Sequence, residues 1–195
     1  MRFKIKNTDV IISFSFFSLI LLSMTVDKSG IFKICLITSL IHECVHLIFI
    51  VLFKAEVSYI RLSLFGGDIK RAGVSLENYK ESLISLSAPI FNIIIGFIFY
   101  IYKPDNLFGS VNLLTGLFNI MPFYSFDGGR GLQYLVKDRV NERMAKSICF
   151  ALSLLVCFSF LTINGVLIKN NRGNIFFLVI SLYMLILLVF KGLHE

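Results

Sequence analysis

Long apolar runs separated by short charged segments set the pattern of this chain. Val10 to Val26 is 17 residues without Asp, Glu, Lys or Arg, Ser82 to Tyr102 is 21, Asn106 to Phe126 is 21, Ser147 to Ile168 is 22 and Gly173 to Phe190 is 18. Each reaches or approaches the ~17–25 residues with which a helix crosses a bilayer core. A further run, Ile34 to Phe53, has the same length but carries His42, Glu43 and His46 in its middle. The pattern predicts an all-α polytopic membrane protein with six transmembrane helices. Between the second and third, Val57 to Lys70 is rich in β-branched and alternating residues and contains Gly66-Gly67-Asp68, a turn signal. A small membrane-associated β-hairpin is expected there, as an alternative to a plain cytoplasmic loop.

Composition fits this reading: 56% of the residues are hydrophobic and 16% charged. That excludes disordered, collagen-like and disulfide-scaffold chains. The basic N-terminus followed by an apolar run resembles a signal peptide, but no small-x-small cleavage site follows, so a retained first span is expected. The net charge of +7 would suggest nucleic acid in a soluble protein. With six spans, however, the loops on the side of the termini hold 14 Lys and Arg and the opposite loops 5. Basic residues favour the cytoplasmic side, so both termini are expected there, in a bacterial cytoplasmic-type membrane, and no nucleic-acid partner is expected. The four cysteines lie inside predicted spans without a C-x-x-C pair and read as small packing residues.

Ionisable residues inside a span are costly and usually functional. His42-Glu43-Cys44-Val45-His46 reads H-E-x-x-H. On a helix the two histidines share a face and can offer two nitrogens to one tetrahedral zinc, with Glu43 beside them to take a proton from the attacking water. A proton relay is the competing reading. Catalytic zinc needs a third protein ligand. Asp127 ends an uncharged run in Pro122-Phe123-Tyr124-Ser125-Phe126-Asp127-Gly128-Gly129, where Pro122 should break the helix. A carboxylate delivered there suits a third ligand; without H-E-x-x-H it would read as an Asp-Gly turn at the membrane edge. Asn119 could hydrogen-bond a substrate carbonyl or its oxyanion, or equally a neighbouring helix.

These residues resemble the site-2 protease group of intramembrane zinc metalloproteases. His42-Glu43-x-x-His46 matches its metal motif, and Asn119-x-x-Pro122-x-x-x-x-Asp127-Gly128-Gly129 looks like its second motif. The resemblance implies zinc bound by His42, His46 and Asp127, Glu43 as catalytic acid/base, and Asn119 assisting at the substrate carbonyl. Phe65-Gly66-Gly67 looks like the family's glycine pair in a membrane-associated hairpin. Ala88-Pro89-x-x-Asn92 is similar to a G-P-x-x-N element, with Ala88 in place of glycine. The layout resembles the sporulation subgroup that processes a membrane-associated pro-sigma factor, here without the CBS domain common in that subgroup.

The expected organisation is a single membrane protease domain over 1–195, with a gating helix at 10–26, a catalytic core over about 31–135 and a C-terminal helix pair at 147–190, and no CBS or PDZ domain. The expected partners are a membrane-associated protein substrate and the lipid bilayer, with room for a membrane protein that inhibits the enzyme or delivers substrate. Rival functions are a transporter or proton relay, and a catalytically silent binder of membrane partners. The regulator cleaved could also be an anti-sigma factor.

Overall fold

The structure, a computed structural model, describes residues 2–5, 8–25, 27–63, 66–72, 76–170 and 175–192. They form two compact units, Met1–Phe118 and Asn119–Glu195. In the first unit the chain opens with strands β1 (Arg2–Ile5) and β2 (Thr8–Ile12), then helices α1 (Phe14–Thr25) and α2 (Ile31–Leu52). Strands β3 (Glu56–Ser63) and β4 (Gly66–Ala72) follow, then α3 (Asn78–Tyr102) and α4 (Leu107–Asn119). The second unit contains α5 (Asp127–Lys137), α6 (Glu142–Lys169) and α7 (Ile175–Gly192).

The predicted first span is divided between two kinds of element. Val10-Ile11-Ile12, a β-branched triplet suited to a pleated surface, joins β2 and pairs in parallel with Ile60, Arg61 and Leu62 of β3. What remains as α1 is 12 residues long, or about 18 Å, well short of a ~30 Å hydrocarbon core. Among the described residues three helices are long and apolar enough to cross a membrane: Ile31–Leu52, Asn78–Tyr102 and Glu142–Lys169. Leu107–Asn119 and Phe177–Val189 are shorter apolar helices, so among the described residues three of the six expected spans are full-length apolar helices.

The sheet is also larger than a hairpin. Its order is β1-β2-β3-β4, with β1 and β2 antiparallel and β3 and β4 antiparallel. The basic N-terminus, which resembles the start of a signal peptide, supplies the edge strand β1. Arg2 bonds Asp9 across the first pair at 2.8 Å, which raises the Arg2 pKa and holds the Asp9 carboxyl below its ordinary value. Gly66, Gly67 and Asp68 are not the turn but ladder residues, opposite Ser63, Leu62 and Arg61. Phe65 of the Phe-Gly-Gly element lies outside the described residues.

Three small residues bring α3 and α4 together. A Cβ at Gly96 would lie 2.6 Å from the Leu113 backbone nitrogen, one at Gly109 2.5 Å from Phe99 Cβ, and one at Gly116 2.7 Å from the Pro89 carbonyl oxygen. Such close approach is how helices associate where lipid removes the hydrophobic driving force. Ala88, one turn from Asn92 on the same helix, is fully buried. Asn106 caps α4 by accepting the Gly109 amide at 3.0 Å, and Asn141 caps α6 by accepting that of Met144 at 2.8 Å.

The start of α2 is built differently. Gly30 sits at its N-cap with φ 76°, a conformation glycine adopts without strain, and its lack of a side chain leaves the first amides to others. Asp27 Oδ2 accepts the amides of Phe32 at 2.9 Å and Lys33 at 3.4 Å, while Ser29 Oγ accepts that of Ile31 at 3.4 Å. Desolvation pushes the Asp27 carboxyl up, but hydrogen bonds from Ser29 and from the Lys33, Phe32 and Gly30 amides outweigh it, and the net shift is downward. A carboxyl lowered on folding stabilises above its unfolded pKa, about 3.9, and that stabilisation is lost as pH falls through the folded value. We therefore expect part of the acid sensitivity of melting below about pH 4 to disappear in Asp27→Asn, measured as a melting-temperature difference between pH 3 and pH 6 in detergent. Equal slopes in wild type and variant would count against this cap.

Candidate metal centre

Helix α2 places its functional residues by periodicity. Thr38, His42, Val45, His46 and Ile50 form the buried stripe, spaced as one face of a helix. Both histidines are buried, with 6% and 8% exposure, whereas Glu43 is half-buried and Cys44 exposed. The two rings meet edge to face with centroids 4.9 Å apart. Each ring has its Nδ1 engaged by α3. His46 Nδ1 lies 2.8 Å from the Ile84 carbonyl, and His42 Nδ1 lies 3.2 Å from the Asn92 side-chain nitrogen. A carbonyl only accepts, so His46 Nδ1 carries the proton and its Nε2 keeps a lone pair.

The Ile84 carbonyl also accepts the Ser87 hydroxyl at 2.7 Å. Pro89 lies inside α3 and removes the amide that would bond the Ser85 carbonyl, opening the helical ladder in this turn. One turn before His42, Thr38 receives the Asn112 side-chain amide at 3.2 Å from α4. Polar side chains thus recur along the α2 face at 38, 42 and 46, each tied to a neighbouring helix.

In the second unit the segment after α4 behaves as Pro122 predicts. Helix α4 stops at Asn119, and residues 120–126 form irregular backbone before α5 begins at Asp127. This segment is held by α6. Phe123 is fully buried, and the Tyr124 amide donates to Ser153 Oγ at 2.7 Å, which in turn donates to the Cys149 carbonyl at 2.7 Å. The glycines after Asp127 are required by space. A Cβ on Gly128 would overlap the Ile120 carbonyl, and one on Gly129 the Phe123 carbonyl. Asp127 is half-buried and occupies the first turn of α5, where helix-end amides favour a negative charge.

In the first unit His42 and His46 offer two imidazoles from one buried face of α2, and in the second Asp127 offers a carboxylate from the first turn of α5. Two imidazoles and a carboxylate are a catalytic-zinc donor set that leaves a fourth position open. With both Nδ1 atoms engaged by α3, Nε2 is the nitrogen each ring would present. Glu43 is next to His42 on α2, and Asn119 is the last residue of α4. Reasoning from sequence alone missed Asn92, the Ile84 carbonyl and Ser153 as supports. The recurrence of Thr38, His42 and His46 at helical spacing was the available signal for the buried face.

No protein-family model matches the sequence, and no curated protein matches it. Among solved structures the chain is similar to the Site-2 Protease from Methanocaldococcus jannaschii, with a TM-score of 0.63 and 21% sequence identity over 94% of this chain and 91% of that one. The chain therefore has the fold of that protease, and with its apolar helices it is an integral membrane protein.

Proposed function

We propose that the protein is an intramembrane zinc metalloprotease that hydrolyses a peptide bond in or next to a membrane segment of a substrate protein. The observation that carries this reading is the pair of buried imidazoles, His42 and His46, on one face of α2 with each Nδ1 engaged by α3, in a chain that shares the fold of a site-2 protease. Zinc held by these three residues would polarise the scissile carbonyl and make water a better nucleophile. Glu43, half-buried beside His42, takes the proton of the attacking water and delivers it to the leaving amine. Asn119 donates a hydrogen bond to the carbonyl oxygen as charge develops on it.

A helix must unwind before it can be cut, because its carbonyls are bonded and shielded. Strand β4 ends the sheet opposite β1, and its edge is assigned to hold the unwound segment as an added strand. Admission of substrate is assigned to α1 and α7, since α6 is occupied in holding the 120–126 turn through Ser153. The asymmetry of Lys and Arg across the six-span layout supports a cytoplasmic position for both termini. Within the substrate class, the resemblance to the sporulation subgroup points to a membrane-associated pro-sigma factor, with a membrane-bound anti-sigma factor as the alternative.

The test is metal content by elemental analysis of detergent-purified protein beside Asp127→Ala. About one zinc per chain in the wild type, and markedly less in the variant, is the expected outcome. No zinc in either after reconstitution would remove the protease reading and favour a proton relay built on His42, Glu43 and His46.

A further inference from the structure

The two histidines of the metal centre are not supported alike. His46 is committed by a backbone carbonyl, which can only accept. His42 instead faces a side-chain amide, which has a donor end and an acceptor end. In the structure the Asn92 nitrogen is the end that lies 3.2 Å from His42 Nδ1. Paired this way, Nδ1 of the neutral ring accepts, the ring proton sits on Nε2, and no ring lone pair remains for a metal. The other end of the amide, Oδ1, is buried without a hydrogen-bond partner on a side chain with 0% exposure. Buried polar atoms without partners are rare and ask for an explanation.

We propose that Asn92 is a positioning residue that sets the tautomer of His42 and changes orientation when metal binds; this rests on the metal-centre reading above. A half-turn of the amide brings Oδ1 to His42 Nδ1. The ring proton then moves to Nδ1 and Nε2 is freed as a ligand, which reproduces at His42 what the Ile84 carbonyl does permanently at His46. The orientation in the structure leaves one end of the amide without a partner, so no second hydrogen bond holds it there. Coordination at Nε2 favours the other orientation, because it requires the proton on Nδ1 and hence an acceptor facing it.

Two readouts test this in detergent-purified full-length chain: zinc affinity by competition with a chelator, and the nitrogen-15 shifts of the histidine rings with and without zinc. The chain has 3 histidines, which keeps the spectra assignable. In wild type, His42 is expected as the Nε2–H tautomer without metal and as the Nδ1–H tautomer with zinc. Asn92→Ala should weaken zinc binding about 10–100-fold, the usual cost of losing such a support. Asn92→Asp, which can only accept, should bind zinc at least as tightly as wild type and hold His42 as Nδ1–H in both states. Asn112→Ala, which removes the similar amide that bonds Thr38, should leave zinc affinity within about twofold of wild type and so control for loss of packing. Wild-type affinity in Asn92→Ala, or an Nδ1–H His42 in metal-free wild type, would overturn the inference. A wild type that takes up no zinc overturns the metal-centre reading, whereas a zinc-binding wild type with an unaltered Asn92→Ala overturns this inference alone.

Discussion

Replacing Glu43 by Gln is expected to lower peptide cleavage by about 10²–10⁴-fold, the usual contribution of a positioned general base, without reducing zinc content. Gln keeps the shape of the side chain but cannot take up a proton. The proposed ligands are His42, His46 and Asp127, so the exchange leaves each of them in place. The measurement pairs zinc per chain with cleavage of a membrane-anchored substrate in proteoliposomes. Zinc retained and cleavage lost is the signature of a metalloprotease. If the purified wild type instead conducts protons across liposomes and Glu43→Gln stops that flux, the residues form a relay. A variant indistinguishable from wild type in both assays would leave only a binding role.

The candidate ligands could be picked out because they rest on short-range spacing. His42 and His46 are one helical turn apart in any helix, and Pro122 ends α4 close to where its ring forbids continuation. What could not be read was non-local. Val10-Ile11-Ile12 suits a strand as well as a membrane helix, and the choice is made by β3, whose partner residues lie about 50 positions away. The same holds for Ser153. Within an uncharged run it reads as an ordinary small residue of a lipid-facing helix, yet it receives the Tyr124 amide 29 positions earlier and so shapes the approach to Asp127. Asn92 stands out in the sequence only as the end of Ala88-Pro89-x-x-Asn92, and neither its place beside His42 nor that of the Ile84 carbonyl beside His46 could be read without the packing of α3 on α2.

Gly128 and Gly129 offer the sharpest test of how Asp127 is held. Their need for glycine is not conformational: among the described residues the only glycine with positive φ is Gly30. It is spatial, because the obstructing atoms are backbone carbonyls of Ile120 and Phe123 and cannot swing aside as a side chain would. Adding a methyl there forces the 120–124 turn away from the first turn of α5, and overpacking of this kind costs about 1–3 kcal/mol. Gly128→Ala and Gly129→Ala should therefore melt well below wild type in detergent and bind zinc more weakly, since Asp127 immediately precedes both. Gly165→Ala is the matched control. It lies inside α6 with nothing within 4 Å of the added carbon, so it should be neutral or raise stability by about 0.5–1 kcal/mol through helix propensity. Wild-type melting and zinc affinity in both Gly128→Ala and Gly129→Ala would mean that the turn does not press on α5, and that Asp127 reaches the metal by some other constraint. Loss of zinc affinity with little change in melting would instead separate the two effects and place the role of the glycines in aiming the carboxylate rather than in holding the fold.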